Sequence, residues 1–285
     1  MHGVTILLFG GRGYMGQQFL KIYPDAVTPH VDIADPAAVA VVLDREKPDV
    51  VINAAGKTGV PNVDWCEDHK AETMHANVLG PIVLAEECGK HGIYWVHLSS
   101  GCIFAGDNGG RGYTETDEPN FTGSFYSRTK AMAERALREF SNILILRLRM
   151  PFDGVPHPKN LITKLAKYAK VNDEENSITC LTDFLPVVHE LIARRADGIF
   201  NATNEGAISP YRIMELYREI VDDAHRFERL PLPAQASVTK AGRSNCLLST
   251  EKMRGAGLPM RPIEDAVKAS LLEYKKYAPV SANVS

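Results

Sequence analysis

The 285-residue sequence has no apolar run near the roughly 20 residues needed to cross a bilayer, which excludes a membrane-spanning reading. It has no surplus of positive charge either: the formal net charge of −3 leaves no electrostatic footprint for nucleic acid or an anionic membrane surface. Cysteine is sparse, odd in number (66, 88, 102, 180 and 246) and never arranged as CxxC. A disulfide framework is therefore excluded, and reduced thiols in the cytoplasm are expected. The nine histidines show no metal-ligand spacing; His189-Glu190 continues as Leu-Ile-Ala-Arg, so no metal site is expected. Repeats and low-complexity tracts are missing, and only the tail from about Ala278 reads as loose. Met1-His2-Gly3-Val4 leads straight into a strand-like segment, so no signal or transit peptide is expected ahead of it.

What is present is ordinary soluble composition, 45% hydrophobic and 24% charged, at a length suited to one core with an appended lobe. Short apolar runs alternate with helical patterns, the signature of βαβ units around a parallel sheet. Strands are expected at Thr5–Phe9, Val50–Asn53, Ile93–Ser99, Ile143–Arg147 and Ile199–Ala202. Helices are expected from the first glycine turn to about Tyr23, and at Pro36–Glu46, Glu67–His91 (as two) and Ser124–Phe140. After Met150 the prolines at 151, 156 and 158 break the alternation, a helix follows at Leu161–Lys170, and Ser209-Pro210 starts another through Val221. The expected class is α/β, a doubly wound parallel sheet of the Rossmann type with a smaller mixed α/β lobe. Residues 1–150, rejoined at about 183–204, form the nucleotide-binding part; 151–182 and 205–285 form the lobe.

Between the first strand and first helix lies Gly10-Gly11-Arg12-Gly13-Tyr14-Met15-Gly16. Glycines at 10, 13 and 16 permit a tight turn and bring backbone N–H groups up to a pyrophosphate at a helix N-terminus, where the dipole favours anions. The acid that would hold the ribose hydroxyls of NAD is missing near the second strand, where Ala26-Val27-Thr28-Pro29-His30 stands instead. Arg12, inside the turn, is suited to a 2′-phosphate, so NADPH is favoured over NADH. The alternative for Arg12 is a solvent-facing loop residue.

Tyr126-Ser127-Arg128-Thr129-Lys130 places a phenol and an ammonium four residues apart on one helix face. A phenol with an ordinary pKa near 10 needs a nearby cation to exchange protons at neutral pH. Ser99-Ser100 ends a buried strand, where a hydroxyl can hydrogen-bond a substrate carbonyl. Read singly, Ser100 could cap a loop and Lys130 could be a solvated charge; their occurrence together with the glycine loop argues for a site.

These residues, with Asn53-Ala54-Ala55-Gly56, resemble the extended short-chain dehydrogenase/reductases that act on nucleotide sugars. The likeness is strongest to the dTDP-4-dehydrorhamnose reductases and the 3,5-epimerase/4-reductases of UDP-rhamnose synthesis. It is carried by residues 53–67 (NAAGKTGVPNVDWCE), 101–104 (GCIF), 119–127 (PNFTGSFYS), 147–151 (RLRMP) and 243–245 (RSN). The resemblance implies Ser100, Tyr126 and Lys130 as the reductase triad, the first standing where Thr is common. It implies Asp32, Ile33, Asn53 and Ala54–Gly56 beside the adenine and ribose, and Asn62, Asn160 and Arg243 toward a nucleotide sugar, with Arg243 suited to the diphosphate. Cys102 and Lys164 are implied as an acid–base pair for epimerisation at C3 and C5. By residue type alone Cys102 also reads as a small buried apolar group and Lys164 as a solvated charge. The expected function is thus conversion of UDP-4-keto-6-deoxy-D-glucose to UDP-L-rhamnose with NADPH, the keto sugar coming from a separate dehydratase. Two rivals stand beside it, a plain 4-reductase and a non-catalytic regulatory subunit of the methionine adenosyltransferase β type. A homodimer through sheet-flanking helices is expected by analogy.

Overall fold

The computed structural model describes residues 3–231 and 239–277; the tail from Ala278 lies outside them. Five parallel strands form the central sheet in the order β1 (Ile6–Phe9), β2 (Val50–Asn53), β3 (Tyr94–Ser100), β4 (Ile143–Leu148) and β6 (Gly198–Asn201). All but the first residue of β6 is buried, as expected where helices cover both faces, and the strands read as continuous apolar runs. The faces divide with a period of two. Ile6, Leu8, Ile52, Val96, Leu144 and Leu146 pack with Phe19 of α1 (Tyr14–Ile22) and with Phe184 and Val188 of α8 (Leu181–Ala193). Leu7, Phe9, Val51, Trp95 and Ile145 pack with Val39 and Leu43 of α2 (Pro36–Glu46) and Leu84 of α5 (Gly80–Lys90). On the free side of β1, Val27 makes one isolated parallel bridge with Leu7.

A separate apolar cluster joins Leu161, Ile162 and Leu165 of α7 (Leu161–Leu165) to Ile213 and Leu216 of α9 (Pro210–Ile220) and Val267 and Leu271 of α11 (Ile263–Tyr274). Beside it, β5 (Lys170–Asn172) and β7 (Glu228–Leu230) form a two-stranded parallel sheet. Helix α10 (Glu251–Gly255) packs its Met253 into the main core instead. Ser209 caps α9 by accepting the Arg212 N–H, as its sequence position predicts.

Two expectations need correction. The helix over Leu161–Lys170 stops at Leu165, and Lys170 opens β5. The two helices over Glu67–His91 become α3 (Trp65–Asp68), α4 (Lys70–Met74), a π-helical turn at His75–Leu79, and α5. His69 breaks the first join with a non-helical backbone (φ −118°, ψ 52°). Pro81 offers no N–H to the carbonyl four residues back, and the helix widens just before it.

Candidate functional site

The carboxyl ends of β1, β2 and β3 and the start of α6 (Phe125–Leu137) meet at one edge of the sheet, the place where open α/β sheets bind ligands. At β1, Gly10 turns with φ +79°, and a side chain there would strike the Ala54–Ala55 backbone. Gly16 packs as closely on the Gly10 carbonyl, so the first turn of α1 is pressed against the loop. The N-terminus of α1 has no first-turn acid and no side-chain cap, whereas α2, α6 and α9 are capped by Asp35, Ser124 and Ser209. Unpaired N–H groups beside exposed Gly13 are the donor set an anion requires, so the loop fits a pyrophosphate. Arg12 is exposed, with no carboxylate in salt-bridge reach among the described residues. Tyr14 stacks on His157 at 4.5 Å, while Met15 leans on the core.

Farther along this edge, Asp32 is exposed, holds the Ala34 N–H and pairs with His75 at 2.7 Å. These bonds keep its carboxyl below the usual range. Ile33 is buried and would obstruct any side chain at Gly80. Ala54 and Ala55 are half-buried and Gly56 is exposed. Asn53, by contrast, is wholly buried; its side chain serves the Ala55 N–H and His97.

Ser100 is the last residue of β3, and its hydroxyl accepts the Cys102 N–H at 3.1 Å, closing a 3₁₀ turn over Gly101–Ile103. Tyr126 is the second residue of α6, whose N-cap Ser124 accepts the Ser127 N–H. Burial pushes the phenol well above its ordinary value, Cys102 adds to that, and a hydrogen bond from the Ser100 side chain acts the other way. One turn on, Lys130 is buried, donates to the Leu98 carbonyl at 2.7 Å and lies 3.4 Å from His97. Burial brings its pKa down to about 8, against an upward pull from Glu134.

The other expected residues separate into two groups. Arg243 holds Asp64 with both terminal nitrogens and reaches Asn62 at 3.4 Å. Lys164, half-buried on α7, is lowered by desolvation, then by the charges of Lys159 and Arg243, and has no carboxylate in salt-bridge reach among the described residues. Cys102 is half-buried beside Tyr126. Asn160 has a different use: fully buried, it caps α7 through the Ile162 N–H and donates to Asp153 and Val155, leaving nothing for a ligand.

Several residues here carry no sequence signature. Lys159 bridges to the Gly59 carbonyl and Thr58 hydroxyl. Asn77, turned inward by the π-helical turn, clamps both backbone groups of Lys57 and reaches Thr129 on α6. Arg149 is fully buried and ties Gly101, Ser177, Asn176 and Ser244 together, fixing the Ser100 turn against the segment that carries Arg243.

The chain matches the model of the RmlD substrate binding domain over residues 4–276. It belongs to that family. A bifunctional dTDP-4-dehydrorhamnose 3,5-epimerase/dTDP-4-dehydrorhamnose reductase of Arabidopsis thaliana is 41% identical over 98% of this chain and 96% of its own length. A trifunctional UDP-glucose 4,6-dehydratase/UDP-4-keto-6-deoxy-D-glucose 3,5-epimerase/UDP-4-keto-L-rhamnose-reductase of the same plant is 38% identical over 95% of this chain, which spans 41% of it. The crystal structure of the L780 UDP-rhamnose synthase from Acanthamoeba polyphaga mimivirus superposes with a TM-score of 0.91 at 32% identity, covering 95% of this chain and 99% of that one. The family member described here is a Rossmann-like α/β protein. Among its described residues no helix is long and apolar enough to cross a membrane, and no group of side chains could hold a metal ion.

Proposed function

We propose that this protein is an NADPH-dependent reductase of a 4-keto nucleotide sugar that also epimerises C3 and C5, converting UDP-4-keto-6-deoxy-D-glucose to UDP-L-rhamnose. The observation that carries the reading is the meeting of Ser100, Cys102 and Tyr126 at the end of β3, with Lys130 one turn behind. The relatives named above support it, since both plant proteins carry the epimerase and the reductase in their names. The uncapped N-terminus of α1 and the unpaired Arg12 support a dinucleotide with a 2′-phosphate. Such a cofactor supplies a hydride for C4.

The chain's own groups manage the protons. A C4 ketone acidifies the hydrogens on C3 and C5; a base removes each and an acid returns one on the opposite face. Cys102 and Lys164 are the groups offered for this, and desolvation brings the Lys164 ammonium closer to proton exchange near neutrality. Ser100 and Tyr126 stabilise the enolate oxygen by hydrogen bonding. At the reduction step Tyr126, kept protonated by burial, gives its proton to the C4 oxygen. Arg243 and Asn62 take the nucleotide side of the substrate. The five free thiols support a cytoplasmic setting.

The test is product analysis in D₂O with the keto sugar and NADPH. Deuterium at both C3 and C5 of a rhamnose product is expected. A reduced product with no solvent deuterium leaves a plain reductase, and no NADPH oxidation at all overturns the enzyme reading in favour of a binding subunit.

A further inference from the structure

Helix α6 carries Tyr126 as its second residue, so the place where α6 begins fixes where the phenol stands. The first N–H groups of a helix have no helical carbonyl to meet and take their partners from elsewhere. Ser124 serves one of them, accepting the Ser127 N–H at 3.1 Å. The Phe125 N–H, one residue ahead of Tyr126, is served from 58 positions away: it donates to Glu67 Oε1 at 2.6 Å.

Glu67 belongs to the same short piece of chain as Asn62 and Asp64. The N–H groups of Trp65, Cys66 and Glu67 donate in turn to the carbonyls of Asn62, Val63 and Asp64, at 3.3, 3.1 and 3.1 Å. Asn62 Oδ1 also accepts the Asp64 N–H at 2.8 Å. Residues 62–67 are therefore one wound unit. One end grips Arg243 through Asp64, and the other grips the start of α6 through Glu67. Between the two grips Cys66 is fully buried near Tyr126. Arg128 also faces Glu67, but its Nη2 stands 3.9 Å from Oε2 while its Nη1 donates to the Thr122 carbonyl at 2.7 Å. The carboxylate thus holds α6 by its backbone.

The geometry points to Glu67 as a positioning residue: by holding the Phe125 N–H it sets the start of α6 and places the Tyr126 phenol relative to the Arg243 end of the site. The consequence rests on the reductase reading above. An acid–base group contributes fully only within hydrogen-bond reach of the atom it serves, and a displacement of about 1 Å can cost on the order of a hundredfold. Glu67 acts through Tyr126, so its loss lowers kcat and leaves the binding of sugar and cofactor alone.

The first measurement needs no substrate. In ¹⁵N-phenylalanine protein, with the Phe125 amide identified by its loss in Phe125→Leu, exchange of that amide with solvent is followed by NMR. It should be about tenfold or more slower in the wild type than in Glu67→Ala, a protection of roughly 1.4 kcal/mol. Glu67→Gln, whose amide oxygen accepts the same N–H while losing the charge that faces Arg128, should restore most of that protection. A wild-type amide that exchanges as fast as an unbonded one overturns the proposal, and this decides even if Glu67→Ala does not fold. The second measurement is steady-state kinetics. Glu67→Ala should lose about tenfold or more in kcat, with KM for the nucleotide sugar and the Kd of NADPH within about twofold, and Glu67→Gln should recover kcat to within about threefold. An unchanged kcat in a folded Glu67→Ala protein, a loss confined to KM, or equal kcat losses in both variants each overturn the proposal. A protected amide in a protein that never turns over would sink the reductase reading, and the catalytic consequence with it, and leave the hold of Glu67 on α6 standing.

Discussion

Arg243 grips Asp64 with two parallel bonds, of 2.8 and 3.0 Å, across 179 residues of sequence. The same carboxylate accepts the Ala241 N–H at 2.9 Å, so the segment leading to Arg243 is pinned to the loop after β2. This fork presents the remaining guanidinium face toward Asn62. Arg243→Lys keeps the charge and loses the fork. We expect KM for the nucleotide sugar to rise about tenfold, a change of roughly 1.4 kcal/mol, with kcat within a factor of about two. Steady-state kinetics decide it, and an unchanged KM would remove Arg243 from the substrate side.

The Asp64 carboxyl is held below its ordinary value first by the Arg243 hydrogen bond and then, against some desolvation, by backbone N–H groups. A carboxylate depressed in the folded state adds stability that is complete above its unfolded pKa of about 3.9 and disappears as pH falls through the folded value. Asp64→Asn should therefore lower the urea midpoint at pH 7 and weaken the loss of stability below about pH 4. Parallel stability–pH curves for the two proteins would refute the coupling.

Arg12→Ala tests the cofactor. Removing a charge-assisted contact costs about 1.5–3 kcal/mol, roughly ten- to a hundredfold in affinity. NADPH binding should weaken by that factor and NADH binding hardly at all. Equal losses for both dinucleotides, by fluorescence titration, would unseat the 2′-phosphate assignment.

Tyr126→Phe keeps the ring and deletes the hydroxyl that faces Ser100. Thermal unfolding and NADPH affinity should stay near wild type, while hydride transfer to the ketone falls about a hundred- to ten-thousandfold. Cys102→Ala and Lys164→Met should instead suppress solvent deuterium at C3 and C5 and leave reduction of an already epimerised ketone. Full labelling in both variants would acquit these two residues and keep the epimerase.

Behind the site, Glu134 and Arg147 form a fully buried pair joined by bonds of 2.7 to 3.2 Å, to which Ser99 adds its hydroxyl. Glu134→Ala leaves the guanidinium charged and unmatched, and should cost about 3–5 kcal/mol by urea unfolding. A loss under about 1 kcal/mol would mean that water enters and solvates Arg147.

The strands, the glycine loop and the Tyr126/Lys130 spacing were legible in the sequence because their causes are local. Two-sided burial writes itself as unbroken apolar runs, a close backbone approach demands Gly10 and Gly16, and four residues of helix put two side chains on one face. Fold class and the carboxyl-edge location of the site follow from those alone. What only the tertiary structure decided depends on partners far apart in the chain. Asn160 resembles a ligand-facing residue in sequence, but Asp153 and Val155 draw it into the core. Asn77 reaches Thr129 only because the helix before Pro81 widens. Nothing near His97 in sequence predicts that its ring will sit between the Asn53 amide and Lys130, 3.2 and 3.4 Å from them. That placement is made by the register of β2 against β3 and the packing of α6 on the sheet, since a hydrogen-bond chain is specified only when its last partner arrives.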